Sequence, residues 1–155
     1  MAANTTPIYT ITPNVNGVKI VQTNAQVKSD GTSAASGADM MYKVFSAGTN
    51  GSYLEKIRFT PVAEAALATT PTTLRIYVSS IATPDLTPTT NANTFLLFET
   101  AASATITAAS LTVASPYYEI VLNISIATGQ YIHVSQAIAQ ANAVKWQAIA
   151  YGGDF

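Results

Sequence analysis

Apolar and polar residues alternate in this chain with a period of two, in short runs divided by turn residues. That rhythm constrains the fold more than any other feature. Residues 48–59, Gly-Thr-Asn-Gly-Ser-Tyr-Leu-Glu-Lys-Ile-Arg-Phe, carry it with a turn attached. Asn50-Gly51 reaches positive φ at little steric cost and favours a tight turn. Beyond it, Ile57 and Phe59 fall on one face of a strand and Lys56 and Arg58 on the other. The turn is expected to pair residues 53–60 with a strand over 41–47.

The alternation recurs downstream. Leu74, Ile76 and Val78 point inward from a strand over 73–79, with Arg75, Tyr77 and Ser79 outward. Ile120, Leu122, Ile124 and Ile126 form the apolar face of 118–126. Ile132 and Val134 face in from 131–136, and Val144, Trp146 and Ala148 from 143–151. Residues 94–100 differ, because Phe95, Leu96, Leu97 and Phe98 are consecutive. A strand apolar on both faces belongs in the core or in a subunit contact. A weaker strand is expected over 104–113. The Ala-rich segment 61–71 reads as a loop with a short helix, and 82–94, with Pro84 and Pro88, as a long exposed loop.

The expectation is an all-β chain: an antiparallel β-sandwich, jelly-roll-like, with about eight strands plus an N-terminal arm. An immunoglobulin-like sandwich is the alternative, but the chain has no cysteine pair to support it. The expected core is Ile57, Phe59, Leu74, Ile76, Val78, Ile120, Leu122, Ile124, Ile132, Val134 and Trp146. Residues 1–28 read as an N-terminal arm or edge strand, since Pro7 and Pro13 bracket the first apolar piece. Residues 29–155 read as the β-sandwich domain.

Composition sharpens the functional question. The chain is 48% hydrophobic but only 10% charged, against a typical ~25% charged. Such a surface is either rich in uncharged Thr, Ser, Asn and Ala or covered by other subunits. A net charge of −1 gives no footprint for nucleic acid. No apolar run approaches the ~20 residues of a membrane helix, and 1–6 shows neither the basic nor the apolar part of a signal peptide. Without cysteine there is no disulfide, thiolate metal site or cysteine nucleophile.

Little in the chain resembles a catalytic constellation. His133 is the one histidine. Strand phase places it opposite Ile132 and Val134, towards solvent or a partner, with no Gly-x-Ser-x-Gly motif to serve. No two of the eight acids sit close in sequence, and none forms a calcium loop. No cofactor or metal is expected. Lys56, Arg58 and Arg75, with Tyr77 alongside, form a candidate basic-aromatic patch for a partner if their strands pair. Ile8, Tyr9 and Ile11 are candidates for an arm that adds a strand to a neighbour's sheet. Tyr117, Tyr118 and Trp146 are the candidates for stacking a sugar, with Trp146 better placed in the core.

Several motifs resemble a known family. Asp30-Gly31-Thr32, Val44-Phe45-Ser46-Ala47-Gly48-Thr49-Asn50-Gly51-Ser52, Glu55-Lys56-Ile57-Arg58 and the run Trp146–Phe155 ending Gly152-Gly153-Asp154-Phe155 are similar to a pattern in small tailed-bacteriophage virion proteins. The resemblance spans residues 30–155, with 61–115 matching only in strand rhythm. It implies a jelly-roll-like capsid decoration or cement protein, made in the host cytoplasm and seated on the outer head surface. The implied partners are the major capsid protein and copies of itself, as a homodimer or homotrimer, with no nucleic acid, membrane or enzymatic activity. A carbohydrate-binding tail-fibre or adhesin module is the alternative, with a glycan as its partner.

Overall fold

A computed structural model describes residues 10, 12–21, 41–63, 68–82, 93–104, 116–140 and 143–155. Within them lie eight strands: β1 (Thr12–Ile20), β2 (Tyr42–Ser46), β3 (Ser52–Ala63), β4 (Thr72–Ser79), β5 (Thr94–Ala102), β6 (Tyr118–Ile126), β7 (Tyr131–Gln136) and β8 (Val144–Asp154). They form two four-stranded sheets, ordered β1-β8-β3-β6 and β2-β7-β4-β5. Every pairing is antiparallel. The partners β1–β8, β2–β7, β3–β6 and β4–β5 are those of one long hairpin bent at β4–β5. Rolling that hairpin up adds the β8–β3 and β7–β4 contacts, and the result is a jelly roll.

The two sheets close over one core. Ile57, Phe59, Leu74, Ile76, Ile120, Ile132, Val134 and Trp146 are buried in it with Ile20, Phe45 and Leu54, while Val78, Leu122 and Ile124 are half-buried against it. Trp146 meets Tyr118 edge to face, with 5.8 Å between ring centroids. Each large side chain withdrawn from water here contributes about 1.5–3 kcal/mol.

Three local features depart from simple alternation. A bulge between Leu54 and Lys56 shifts the register of β3 against both neighbours. Against β8 the extra residue is Glu55, which reverses the parity so that Leu54 and Ile57 both face the core; against β6, Leu122 and Asn123 stand opposite Glu55 alone. Opposite it on β6, Asn123 takes a positive φ of 50°, which Asn tolerates better than most residues. A second bulge, in β2, turns Val44 and Phe45 inward together. Pro61 sits within β3, where it faces Trp146 of β8, but the β3–β6 pairing has already ended at Phe59–Tyr118. Its missing N–H therefore interrupts no ladder on that side.

The Asn50-Gly51 turn does not make a hairpin. β2 and β3 lie in different sheets, so the turn lifts the chain from one sheet to the other. Gly51 N donates to Gly48 O at 3.0 Å to close it, and Gly51 adopts φ 88°. In the N-terminal region β1 is a single edge strand, paired with β8 from Thr12–Asp154 to Ile20–Trp146. Pro13 is accommodated because β1 is an edge. Residues 61–63, read as loop, extend β3. Most of the expected strand at 104–113, and most of the loop at 82–94, lie outside the described residues.

Candidate functional site

The basic-aromatic patch anticipated around Lys56, Arg58, Arg75 and Tyr77 is not assembled, because β3 and β4 belong to different sheets. Lys56 and Arg58 lie on the outer face of β1-β8-β3-β6. Arg58 donates Nη2 and Nε to Glu119 Oε2 at 2.7 and 3.1 Å. Lys56 Nζ approaches Glu119 Oε1 at 3.4 Å and Glu55 Oε1 at 3.7 Å. The hydrogen bond from Arg58 holds the Glu119 carboxyl below the usual range, and the same bond raises the Arg58 pKa. The Arg58 guanidinium also lies over two rings, 4.5 Å from the Tyr117 centroid and 5.8 Å from that of Tyr151.

Arg75 and Tyr77 are buried, not presented to a partner. Tyr77 is fully enclosed and Arg75 nearly so, with Arg75 Nε donating to Glu99 Oε2 at 3.3 Å. Burial pushes the Tyr77 phenol up, partly offset by a hydrogen bond with Ser135. His133 is buried with them, contrary to its expected outward exposure. Its register partners are Lys43 on β2 and Tyr77 on β4, and Nε2 sits 3.2 Å from the Ile81 carbonyl oxygen. The outer face of β2-β7-β4-β5 therefore carries a buried polar layer. Period-two reading treats the non-core face as wet and cannot see this. Ile8, Tyr9 and Ile11 lie outside the described residues.

What the fold does present is the outer face of β1-β8-β3-β6. One row across it reads Val15, Tyr151, Lys56, Val121 and the next Gly17, Ile149, Arg58, Glu119. Val15, Val121 and Tyr117 are exposed. The face mixes exposed apolar side chains with cations: Lys56 and Arg58 are matched by Glu119 and Glu55, and Lys19 and Lys145 stand further along the same face. Val15, Val121 and Tyr151 were missed in sequence because each sits on the outward phase of an alternating run, where single apolar residues are ordinary. Of the sugar-stacking candidates, Trp146 is in the core and Tyr118 packs against it, which leaves Tyr117 exposed.

A second surface is the edge strand β5. Phe95, Leu96, Leu97 and Phe98 are 62%, 38%, 40% and 41% exposed. The core alternative for this run is thus set aside.

Two of the motif segments behind the resemblance, 48–52 and 152–155, meet at one end of the sandwich. Ser52 and Asp154 are register partners, and Ser52 Oγ donates to Asp154 Oδ1 at 2.5 Å. Asn14 Nδ2 donates to the same oxygen at 2.9 Å, and Gly48 N donates to Ser52 Oγ at 2.8 Å. Phe155 N donates to Gly51 O at 3.2 Å, and Asn50 Nδ2 to Phe155 O at 3.4 Å. The bonds from Asn14 and Ser52 hold the Asp154 carboxyl below its ordinary pKa. A side chain at Gly152 would meet the Tyr53 carbonyl oxygen. These residues clasp β8 to the β2–β3 turn and to β1. Asp30-Gly31-Thr32 lies outside the described residues.

No family model, curated protein or solved structure matches this chain. Among the described residues no group of three or more His, Asp or Glu could hold a metal ion. No helix there is long and apolar enough to cross a membrane.

Proposed function

We propose that this chain is a non-enzymatic structural component of a tailed-phage virion: a jelly-roll decoration protein that seats on the outside of the head shell and bridges major capsid protein subunits. The observation that carries the reading is the outer face of β1-β8-β3-β6. There Val15, Tyr151, Val121 and Tyr117 offer apolar area around Lys56 and Arg58, which are already paired with Glu119 and Glu55. Burying that part of the face against a shell strips water from apolar groups while Lys56 and Arg58 keep their acidic partners, and Lys19 and Lys145 at its end are free to meet an acidic surface of the shell. Each contact can be modest, because a decoration protein engages many equivalent sites and a joined pair raises the effective concentration of the second contact.

The test is whether the chain co-purifies in many copies with particles of the phage that encodes it. Heads stripped of it should rebind the purified protein and rupture at a higher temperature once they have done so. Val121→Lys should weaken rebinding while the protein stays folded. Absence from particles, or location on the tail, overturns the reading. A glycan-binding module is the second reading, and the exposed Tyr117 favours it. It requires sugar binding on a glycan array that Tyr117→Ala abolishes.

A further inference from the structure

Among the described residues the jelly roll has four sheet edges, and three are guarded against pairing. β1 carries Pro13, Lys19 and a polar Asn14–Asn16–Gly17 stretch. β2 is only 5 residues long and includes Lys43. β6 is broken by an irregularity at Asn123, which takes a positive φ. β5 is 9 residues long, has neither Lys nor Pro, and exposes four large apolar side chains in succession. Its one charge, Glu99, is paired with Arg75 in the same sheet.

From this contrast we infer that β5 is the self-association edge: two copies join β5 to β5 antiparallel about a two-fold axis, fusing two β2-β7-β4-β5 sheets. The inference goes beyond the proposed function, because such a dimer is read in free solution and needs no shell. The occupant follows from the chemistry of the edge. A strand that covers β5 must bring apolar residues to both faces, and the described strand with that property is β5 itself.

The register supports self-pairing. Phe95 is opposite Val78 and Phe98 opposite Ile76, so the bulge at Leu97 turns both phenylalanines to one face. Pairing centred between Leu96 and Leu97 then sets Phe95 against Phe98 of the second copy, twice, as same-face cross-strand aromatic pairs. Each Glu99 meets Thr94 of the second copy. The two Glu99 carboxylates stay five residues apart, about 17 Å, beyond the ~8–10 Å screening length. Two Phe and two Leu at these exposures supply on the order of 700 Å² of buried area for the pair. That is about half a standard interface, so the dimer should be reversible, with Kd on the order of micromolar.

Sedimentation velocity of the whole chain from about 1 to 200 μM tests the inference. The expected result is a monomer–dimer equilibrium, weakened at least about tenfold by Leu96→Lys and by Phe95→Lys. Circular dichroism and Tm report whether each variant keeps its fold. Val121→Lys, on the other sheet, should leave the dimer intact while impairing shell binding, so the two proposals fail separately. A wild-type monomer at the highest concentration overturns the inference. So does a trimer, which an isologous edge cannot form, or dimerisation unchanged in both folded β5 variants.

Discussion

Lowering the pH from 7 to 5 should destabilise the native state through one residue. His133 is the only histidine in the chain, and histidine is the side chain whose ordinary pKa lies in that window. In the folded protein it is enclosed between Lys43 and Tyr77, with Tyr131 at 6.5 Å between ring centroids and Nε2 against the Ile81 carbonyl. The neutral ring donates from Nε2, and Nδ1 finds no partner among the described residues. Protonation would add a second buried donor with nothing to accept it and place a cation beside Lys43. Burial, first, and then Lys43 push the pKa down from 6.5 to about 4.

Below 6.5 the unfolded chain takes up a proton that the folded chain refuses until about pH 4, so stability falls across that interval. The full loss, the 2.5-unit difference at 1.36 kcal/mol per unit, is about 3 kcal/mol, and about 2 kcal/mol of it is reached by pH 5. Guanidinium unfolding at pH 7, 6 and 5 measures this directly. His133→Gln should abolish the pH dependence in this interval, because an amide can still donate to Ile81 but does not titrate. The reasoning is refuted if wild-type stability is flat within about 0.5 kcal/mol from pH 7 to 5, or if His133→Gln keeps the same slope. An NMR titration of the single imidazole with its midpoint near 6.5 would refute it equally.

Other substitutions probe the clasp and the core. Ser52→Ala and Asp154→Ala should each cost about 1–3 kcal/mol by chemical denaturation, with the double variant costing less than their sum; strict additivity would mean that the Ser52–Asp154 bond contributes nothing. Gly152→Ala, whose methyl would meet the Tyr53 carbonyl, should lower Tm by more than Gly129→Ala. At Gly129 the added carbon meets nothing and only the φ of 76° is unfavourable, a cost of about 1–2 kcal/mol. Trp146→Ala should cost about 3–5 kcal/mol, whereas Arg58→Ala, which breaks an exposed pair, should cost far less and leave Tm nearly unchanged.

The strands were legible because a β-sandwich core imposes a period of two, and Ile120, Ile132, Val134 and Trp146 obey it without interruption. Legibility failed where a single inserted residue reversed the parity. Nothing in Leu54-Glu55-Lys56-Ile57 announces that Glu55 is a bulge, and strict alternation puts Leu54 with Lys56 and Arg58, away from the core it occupies. It failed again at Asn50-Gly51, since a tight turn is compatible with a hairpin and with a step between sheets. Choosing between them needs the pairing of β2 with β7, a contact distant in sequence. His133, Arg75 and Tyr77 were misplaced for a third reason: their face is buried by a polar layer, which a hydrophobic pattern does not encode.

The clasp changes what the family resemblance can mean. Gly48, Asn50, Gly51, Ser52, Gly152, Asp154 and Phe155 are the most recognisable motif residues. All of them are spent on hydrogen bonds, a positive φ or a close backbone approach at one end of the sandwich. Two chains that share them share a requirement for tying β8 to the β2–β3 turn, and hence a fold. They need not share a partner, because each of these residues already has a role within the chain. Recognition falls to side chains outside the clasp: Val15, Tyr117, Val121 and Tyr151 on one sheet, and Phe95 to Phe98 on the edge of the other. It follows that substitutions in the clasp should alter stability and shell binding together. Substitutions on the two surfaces should alter association while stability holds, and that separation would distinguish a working interface from a patch of incidental exposure.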